Sequence, residues 1–227
     1  MGCCGGSSAQ KVTLEELPKF QKTVAVYGDY FCCDLRTILV CMQYCGVRYQ
    51  FNEVDTLVGE HLAEAYLEVN PTGQTPTVTD GTTTVVGGYS NQLAFLAGSN
   101  QTLKDKMYPS QLHSEIDAHM NWFSCILKPA VKKYTHLLIR NKAYGEQAST
   151  QDERDTVWTE IATLMLPTME SHLGEKQRNF FCTDDDLTIV DVQYYNAIQQ
   201  LQQLDSSRKL TESRQFPLLN AWITKVM

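Results

Sequence analysis

Thr77-Val-Thr79-Asp80-Gly81-Thr82-Thr83-Thr84-Val85-Val86 is β-branched on both sides of an Asp-Gly pair, the strongest short-range signal for a hairpin. Its position narrows the fold further, because a β-α-β unit precedes it. Thr23 to Tyr27 is a short β-branched run that reads as a buried strand leaving into a loop at Gly28-Asp29. Leu35, Ile38, Leu39, Met42 and Cys45 then recur at helical spacing, and Gly46 follows as a residue that tolerates positive φ just past a helix end. Val47 to Val54 supplies a second strand, and a unit of this kind makes a parallel pair with a right-handed crossover. His61 to Val69 is a second helical stretch ended by Asn70-Pro-Thr-Gly, and Ser90 is placed to cap a short helix through Leu93, Leu96 and Ala97. The order β-α-β-α-β-β-α predicts a small α/β domain over residues 20–98.

Strand signals almost vanish after that point. Residues 99–109 are polar and read as a linker. Ile116, Met120, Phe123 and Leu127 then keep a helical stripe, with a kink expected at Pro129. Thr150-Gln-Asp-Glu153 is a capping box opening a long helix whose apolar face is Val157, Ile161, Leu164, Met165 and Leu173, with Gly174 beyond its end. Thr188-Ile-Val-Asp191 is a second capping box, flanked by the apolar pair Leu187 and Val192. The expected fold class is α/β plus all-α: a leader over residues 1–19, the small α/β domain, the linker, and a helical domain over residues 110–227.

Charge and composition exclude several functions. The net charge of −7 disfavours a non-specific nucleic-acid binder, which draws its affinity from clustered basic groups. No stretch reaches the roughly 18 uninterrupted apolar residues of a membrane-spanning helix. Met1-Gly-Cys-Cys-Gly-Gly-Ser-Ser lacks the apolar core of an export signal, so a cytoplasmic protein with reduced thiols is expected despite eight cysteines. Cys41 and Cys45 fall on the apolar stripe of a predicted helix and read as core residues. The remaining cysteines form adjacent pairs or stand alone, with no histidine close in sequence, which argues against zinc.

Several of these pieces together resemble the glutathione transferase superfamily, a thioredoxin-like domain followed by a helical bundle. Val54-Asp-Thr-Leu-Val-Gly-Glu-His61-Leu and Val69-Asn-Pro-Thr-Gly-Gln74-Thr75-Pro76 through Gly81 are similar in order and spacing to the theta-class pattern. Thr188 to Asp191 and Phe216-Pro-Leu-Leu-Asn-Ala-Trp222 resemble the capping box and closing helix of that superfamily. The resemblance covers roughly residues 22–224. It implies glutathione as co-substrate, a hydrophobic small molecule as the second substrate, no metal, and a homodimer or larger assembly.

The resemblance also implies a site. Pro76 would be cis and open the third strand, letting the backbone of Thr75 pair with the cysteinyl part of glutathione, with Gln74 and His61 as further contacts; an ordinary trans turn proline is the alternative. The nucleophile-activating position falls at Cys32, where theta-class relatives carry serine and omega- and beta-like members carry cysteine. The N-terminal end of a helix stabilises a thiolate there. Cys33 is the competing ligand-facing thiol, Asp34 opposes a thiolate, and a cysteine that only packs is the plain reading.

At the start of the third helix the family places a Glu-Ser pair on the γ-glutamyl group, and this chain has Tyr89-Ser90. A phenol carries no charge to pair with the ligand's ammonium. Residues 20–100 also hold three basic residues against eight acidic ones, which gives an anionic ligand no steering. His119, Trp122 and Phe123 are expected to shape the co-substrate pocket. A non-catalytic scaffold, like the transferase-like part of translation elongation factor 1 gamma, is the rival function. At the N-terminus, Gly2 is a candidate for myristoylation and Cys3 and Cys4 for palmitoylation, a combination that would tether the protein to a membrane.

Overall fold

The computed structural model describes residues 23–86, 89–208 and 215–227, with the backbone alone at Tyr89, Ser90 and Ser99. Gly2, Cys3 and Cys4 lie outside the described residues, as do the side chains of Tyr89 and Ser90. Four strands form one mixed sheet in the order β2-β1-β3-β4. Strand β1 (Val24–Gly28) is buried along its whole length and pairs parallel with β2 (Tyr49–Glu53), Val26 standing opposite Phe51. The hairpin strands β3 (Thr77–Thr79) and β4 (Thr84–Val86) add antiparallel on the other side of β1. Asp80 closes the turn by accepting the amides of Thr82 and Thr83 at 2.9 and 2.8 Å, and Gly81 takes a φ of +82°.

Helix α1 (Cys33–Tyr44) is the crossover between β1 and β2. It buries Leu35, Ile38, Leu39, Cys41 and Met42, so Cys41 is a core thiol as the apolar stripe predicts, and Cys45 at the helix end is buried too. Gly46 follows at φ +66° and donates to the Gln43 carbonyl at 3.0 Å. The predicted second helix is shorter than its sequence suggests: a 3-10 turn over Glu60–Leu62, then one turn, α2 (Glu64–Leu67). Tyr66 is the one residue of the pair that is buried, and a helix without an apolar face gains too little from packing to propagate.

Helix α3 (Tyr89–Ser99) leads into a second departure from expectation. The polar stretch 99–109, read as a linker, contains a helix, α4 (Gln101–Met107). Asn100 caps it by accepting the Leu103 amide at 3.0 Å, and Leu103 and Met107, one turn apart, are both fully buried. Two well-placed apolar residues and a cap suffice in an otherwise polar segment.

The helical half is built on two antiparallel rods, each carrying a π-helical turn just before a proline. The first is α5 (His113–Trp122), a π turn over Phe123–Leu127, and α6 (Lys128–Tyr144), with Pro129 in the first turn of α6. The second is α7 (Gln151–Glu160), a π turn over Ile161–Met165, and α8 (Leu166–Lys176), with Pro167 similarly placed. Proline has no N–H for the carbonyl four residues back, and widening the preceding turn accommodates the missing bond. Helix α8 runs through Gly174 instead of ending before it. A Cβ at Gly174 would lie 3.2 Å from Leu218, so this glycine permits the close approach of α10 (Pro217–Val226).

Helix α9 (Ile189–Leu204) runs through the middle, buried at ten positions and packed on α1 as well as on α5, α6 and α10. Its capping box forms as predicted, Thr188 and Asp191 each bonding to the other's backbone. Among the described residues no helix is long and apolar enough to cross a membrane.

Candidate thiol site at the domain junction

The strands and α1 bring the β1–α1 loop to the edge of the helical half, where α6 and α9 meet it. Three polar links fix this junction. Asp34 in the first turn of α1 pairs with Lys128 at 2.5 Å and accepts from Gln193 of α9 at 3.2 Å. Asn196 donates to Thr37 at 3.0 Å. Arg36 reaches back to the carbonyls of Tyr30 and Phe31 at 2.6 and 3.1 Å and across to the Asn196 carbonyl and the Gln200 side chain at 3.1 and 3.0 Å. Asp29 pins the far side of the same loop, accepting the Phe31 amide at 2.8 Å and the Thr56 hydroxyl at 2.8 Å.

A cavity of about 290 Å³ opens at this junction, lined by Cys32, Cys33, Thr75, Lys128 and Thr135 among others. Cys32 is the N-cap of α1 and makes no side-chain capping hydrogen bond, but the nearby amides of Asp34 and Leu35 act to lower its thiol toward a thiolate. Burial outweighs them, and with the Asp34 carboxylate beside it the thiol is held above its ordinary range. Cys33 points into the polar junction, its sulfur 3.7 Å from Asp34 Oδ1 and 3.8 Å from Gln193 Nε2, and burial pushes it up further still. In a Cys33→Ser background, Asp34→Asn is therefore expected to speed alkylation of Cys32 by iodoacetamide at neutral pH about tenfold, the effect of roughly one pKa unit. The rate should keep climbing past a pH of about 8.5, the ordinary cysteine value, in the parent. An unchanged or slower rate in the asparagine form would show that Asp34 does not keep the thiol protonated.

The Thr75–Pro76 bond is cis, as the resemblance implies. The loop around it is held from below. Asn70, fully buried, donates to the Gln74 carbonyl at 2.7 Å and to the Thr77 hydroxyl at 2.9 Å, and the Tyr66 hydroxyl reaches the same carbonyl at 2.6 Å. Gln92 of α3 donates to the Pro76 carbonyl at 2.5 Å. The Asn70-Pro-Thr-Gly run is therefore a scaffold as well as a helix stop. Thr75 shares the cavity with Cys32, while Gln74 is exposed beside it. His61 sits in the 3-10 turn with its Nδ1 buried and without a hydrogen-bond partner, and it lines neither this cavity nor the one described next.

The expected co-substrate residues lie elsewhere. His119 and Trp122 line a separate cavity of about 410 Å³ between α5 and α8, and Phe123 is fully buried against Tyr194. The wall facing Cys32 comes instead from α6, through Val131, Ile139 and Tyr144. These follow Lys128 at helical spacing, but nothing in the local pattern says which turn of the rod meets the first domain. Burial and the neighbouring His172 push His119 down to about 4, so it is neutral at physiological pH.

The described residues thus form a four-stranded mixed sheet with a cysteine at the N-cap of its first helix, followed by a helical half. Family models described as glutathione S-transferase N-terminal domain and glutathione S-transferase C-terminal domain match residues 32–98 and 132–227, together most of the chain. The chain belongs to the glutathione transferase superfamily and is theta-like within it. Among its relatives, glutathione S-transferase F4 of Arabidopsis thaliana is 22% identical, over 93% of this chain and 84% of that protein. Glutathione S-transferase theta-2 of Rattus norvegicus is 21% identical, over 88% and 79%. Human glutathione transferase theta-2, solved in complex with glutathione, superposes with a TM-score of 0.77 at 20% identity, covering 90% of this chain and 81% of that one. At such identities the structural likeness speaks for the fold.

Proposed function

We propose that the protein is a glutathione-dependent thiol transferase acting through Cys32. The observation that carries this reading is the cavity that Cys32, at the N-terminus of α1, shares with Thr75. Family membership supports glutathione as the co-substrate. In the reaction, the Cys32 thiolate attacks the glutathione sulfur of a mixed disulfide, breaking the S–S bond and releasing the substrate thiol. A second glutathione thiolate then attacks the Cys32 adduct, yielding glutathione disulfide and restoring Cys32. Thr75 pairs with the peptide backbone, with Gln74, Tyr89 and Ser90 as its remaining contacts, while His61, outside the cavity lining, is a contact on the resemblance alone. Val131, Ile139 and Tyr144 supply an apolar wall for a hydrophobic second substrate. A homodimer and a membrane tether through acylated Gly2, Cys3 and Cys4 belong to the same reading and rest on the sequence.

A second reading, a non-catalytic transferase-like scaffold, is favoured by the elevated Cys32 thiol and by the phenol where the family has a carboxylate. Calorimetric titration with glutathione separates the two. Weak binding by the wild type and about tenfold tighter binding by Tyr89→Glu are expected, since a restored charge-assisted bond contributes at least about 1.5 kcal/mol. No heat from either form, together with no retention on glutathione resin, would leave the scaffold reading standing.

A further inference from the structure

The cavity between α5 and α8 has no part in the thiol chemistry, yet it gathers metal-ligating groups. Glu115 and His119 stand four residues apart on α5 and so project from one face. Cys182, from the segment after α8, is buried against them. One ligating atom from each of the three lies within 4.8 Å of the others. Zinc bonds of about 2.0 to 2.3 Å draw such atoms to within about 4 Å of one another, a small side-chain adjustment away. A separate observation points the same way. His172 of α8 lines the cavity edge-on to His119 at 5.1 Å between ring centroids, and its Nδ1 is buried without a hydrogen-bond partner.

We infer that this cavity is a zinc site formed by Glu115, His119 and Cys182, with His172 beside them as the fourth ligand. The mixture of imidazole, carboxylate and thiol is the donor set that zinc takes. Tyr194 orients His119: its hydroxyl donates to the His119 carbonyl at 3.1 Å and lies 3.2 Å from Nδ1, leaving Nε2 with the free lone pair. A thiolate and a carboxylate balance the two charges of the ion, and the Cys182 proton passes to the buffer on binding. Two cations oppose it. Lys176 and Arg178 hold Glu115 at 2.5 and 3.0 Å, and Glu175 faces the cavity as well. Arg178 is also tied to the Cys182 carbonyl at 2.8 Å, whereas the Lys176 side chain is half exposed and free to swing out.

The test uses the full chain, stripped with chelator and dialysed against zinc chloride, with metal measured by atomic emission. One zinc per chain is expected. Cobalt in its place should give a thiolate-to-cobalt absorption that Cys182→Ser and His119→Gln abolish, and that survives Cys32→Ser with Cys33→Ser and Cys3→Ser with Cys4→Ser. Lys176→Met, a surface change that threatens no fold, should tighten zinc about tenfold by removing a repelling charge. No bound zinc, an absorption indifferent to Cys182→Ser, or weaker binding by Lys176→Met would overturn the assignment. Thiol-transfer activity is a separate readout, so failure here leaves the role of Cys32 untouched.

Discussion

Cys32→Ser is expected to lower kcat/KM for reduction of a glutathione mixed disulfide on the order of a thousandfold, because a hydroxyl supplies no competent nucleophile. Cys33→Ser should stay within about threefold of wild type, since a residue away from the reacting atoms contributes little to the transition state. The two neighbours differ in what faces them. Cys32 stands at the N-cap of α1 and lines the cavity with Thr75, whereas Cys33 faces the Asp34 carboxylate and the Gln193 amide. Steady-state assays of both single variants decide between them. Equal losses would mean that the thiols act as a pair, and activity retained by Cys32→Ser would remove the proposed mechanism.

Asp191→Ala should be the most damaging single change to the fold. The carboxylate is fully buried and accepts from the Phe181 amide at 3.0 Å, the Trp222 indole at 2.9 Å, and the amide and hydroxyl of Thr188 at 2.8 and 3.0 Å. Burial raises its carboxyl above the usual range, and these four donors are what oppose that. Truncation leaves three buried N–H groups unpaired, a loss of roughly 4–5 kcal/mol at about 1.5 per orphaned donor. For a chain of this size that corresponds to a Tm lower by about 10–15 °C. Thr188→Ala, which removes a cap hydroxyl and leaves the carboxylate in place, should cost about 1 kcal/mol. Thermal unfolding of both variants measures the difference, and an Asp191→Ala loss no larger than that of Thr188→Ala would show that the network does not hold α9 in place.

The legibility of this protein follows the range of the interactions concerned. Thr150 and Thr188 announce their helices because a capping box closes within four residues, and Asp80-Gly81 announces its hairpin because the turn demands that chemistry. Cys32 was singled out through the family resemblance, which marks the position between the first strand and the first helix. Helix α4 within residues 99–109 was not foreseen, because Leu103 and Met107 find burial that a polar composition does not advertise. Which turn of the helical rod lines the cavity beside Cys32 was not legible, because helical periodicity shows that a face is apolar without showing what that face meets.

Local chemistry in the chain therefore determined the order of elements, the caps and the hairpin, and the family resemblance pointed to the thiol at the head of α1 and the proline loop beside it. The tertiary structure alone decided the rest. Asp34 meets Lys128 across 94 positions, Arg36 meets Gln200 across 164, and Cys182 comes to Glu115 and His119 from a distant segment. Each depends on how two helices pack, a balance of many small contact energies that no short window of sequence contains. For that reason the electrostatics of Cys32, the wall facing it and the second cavity become visible only in the folded chain.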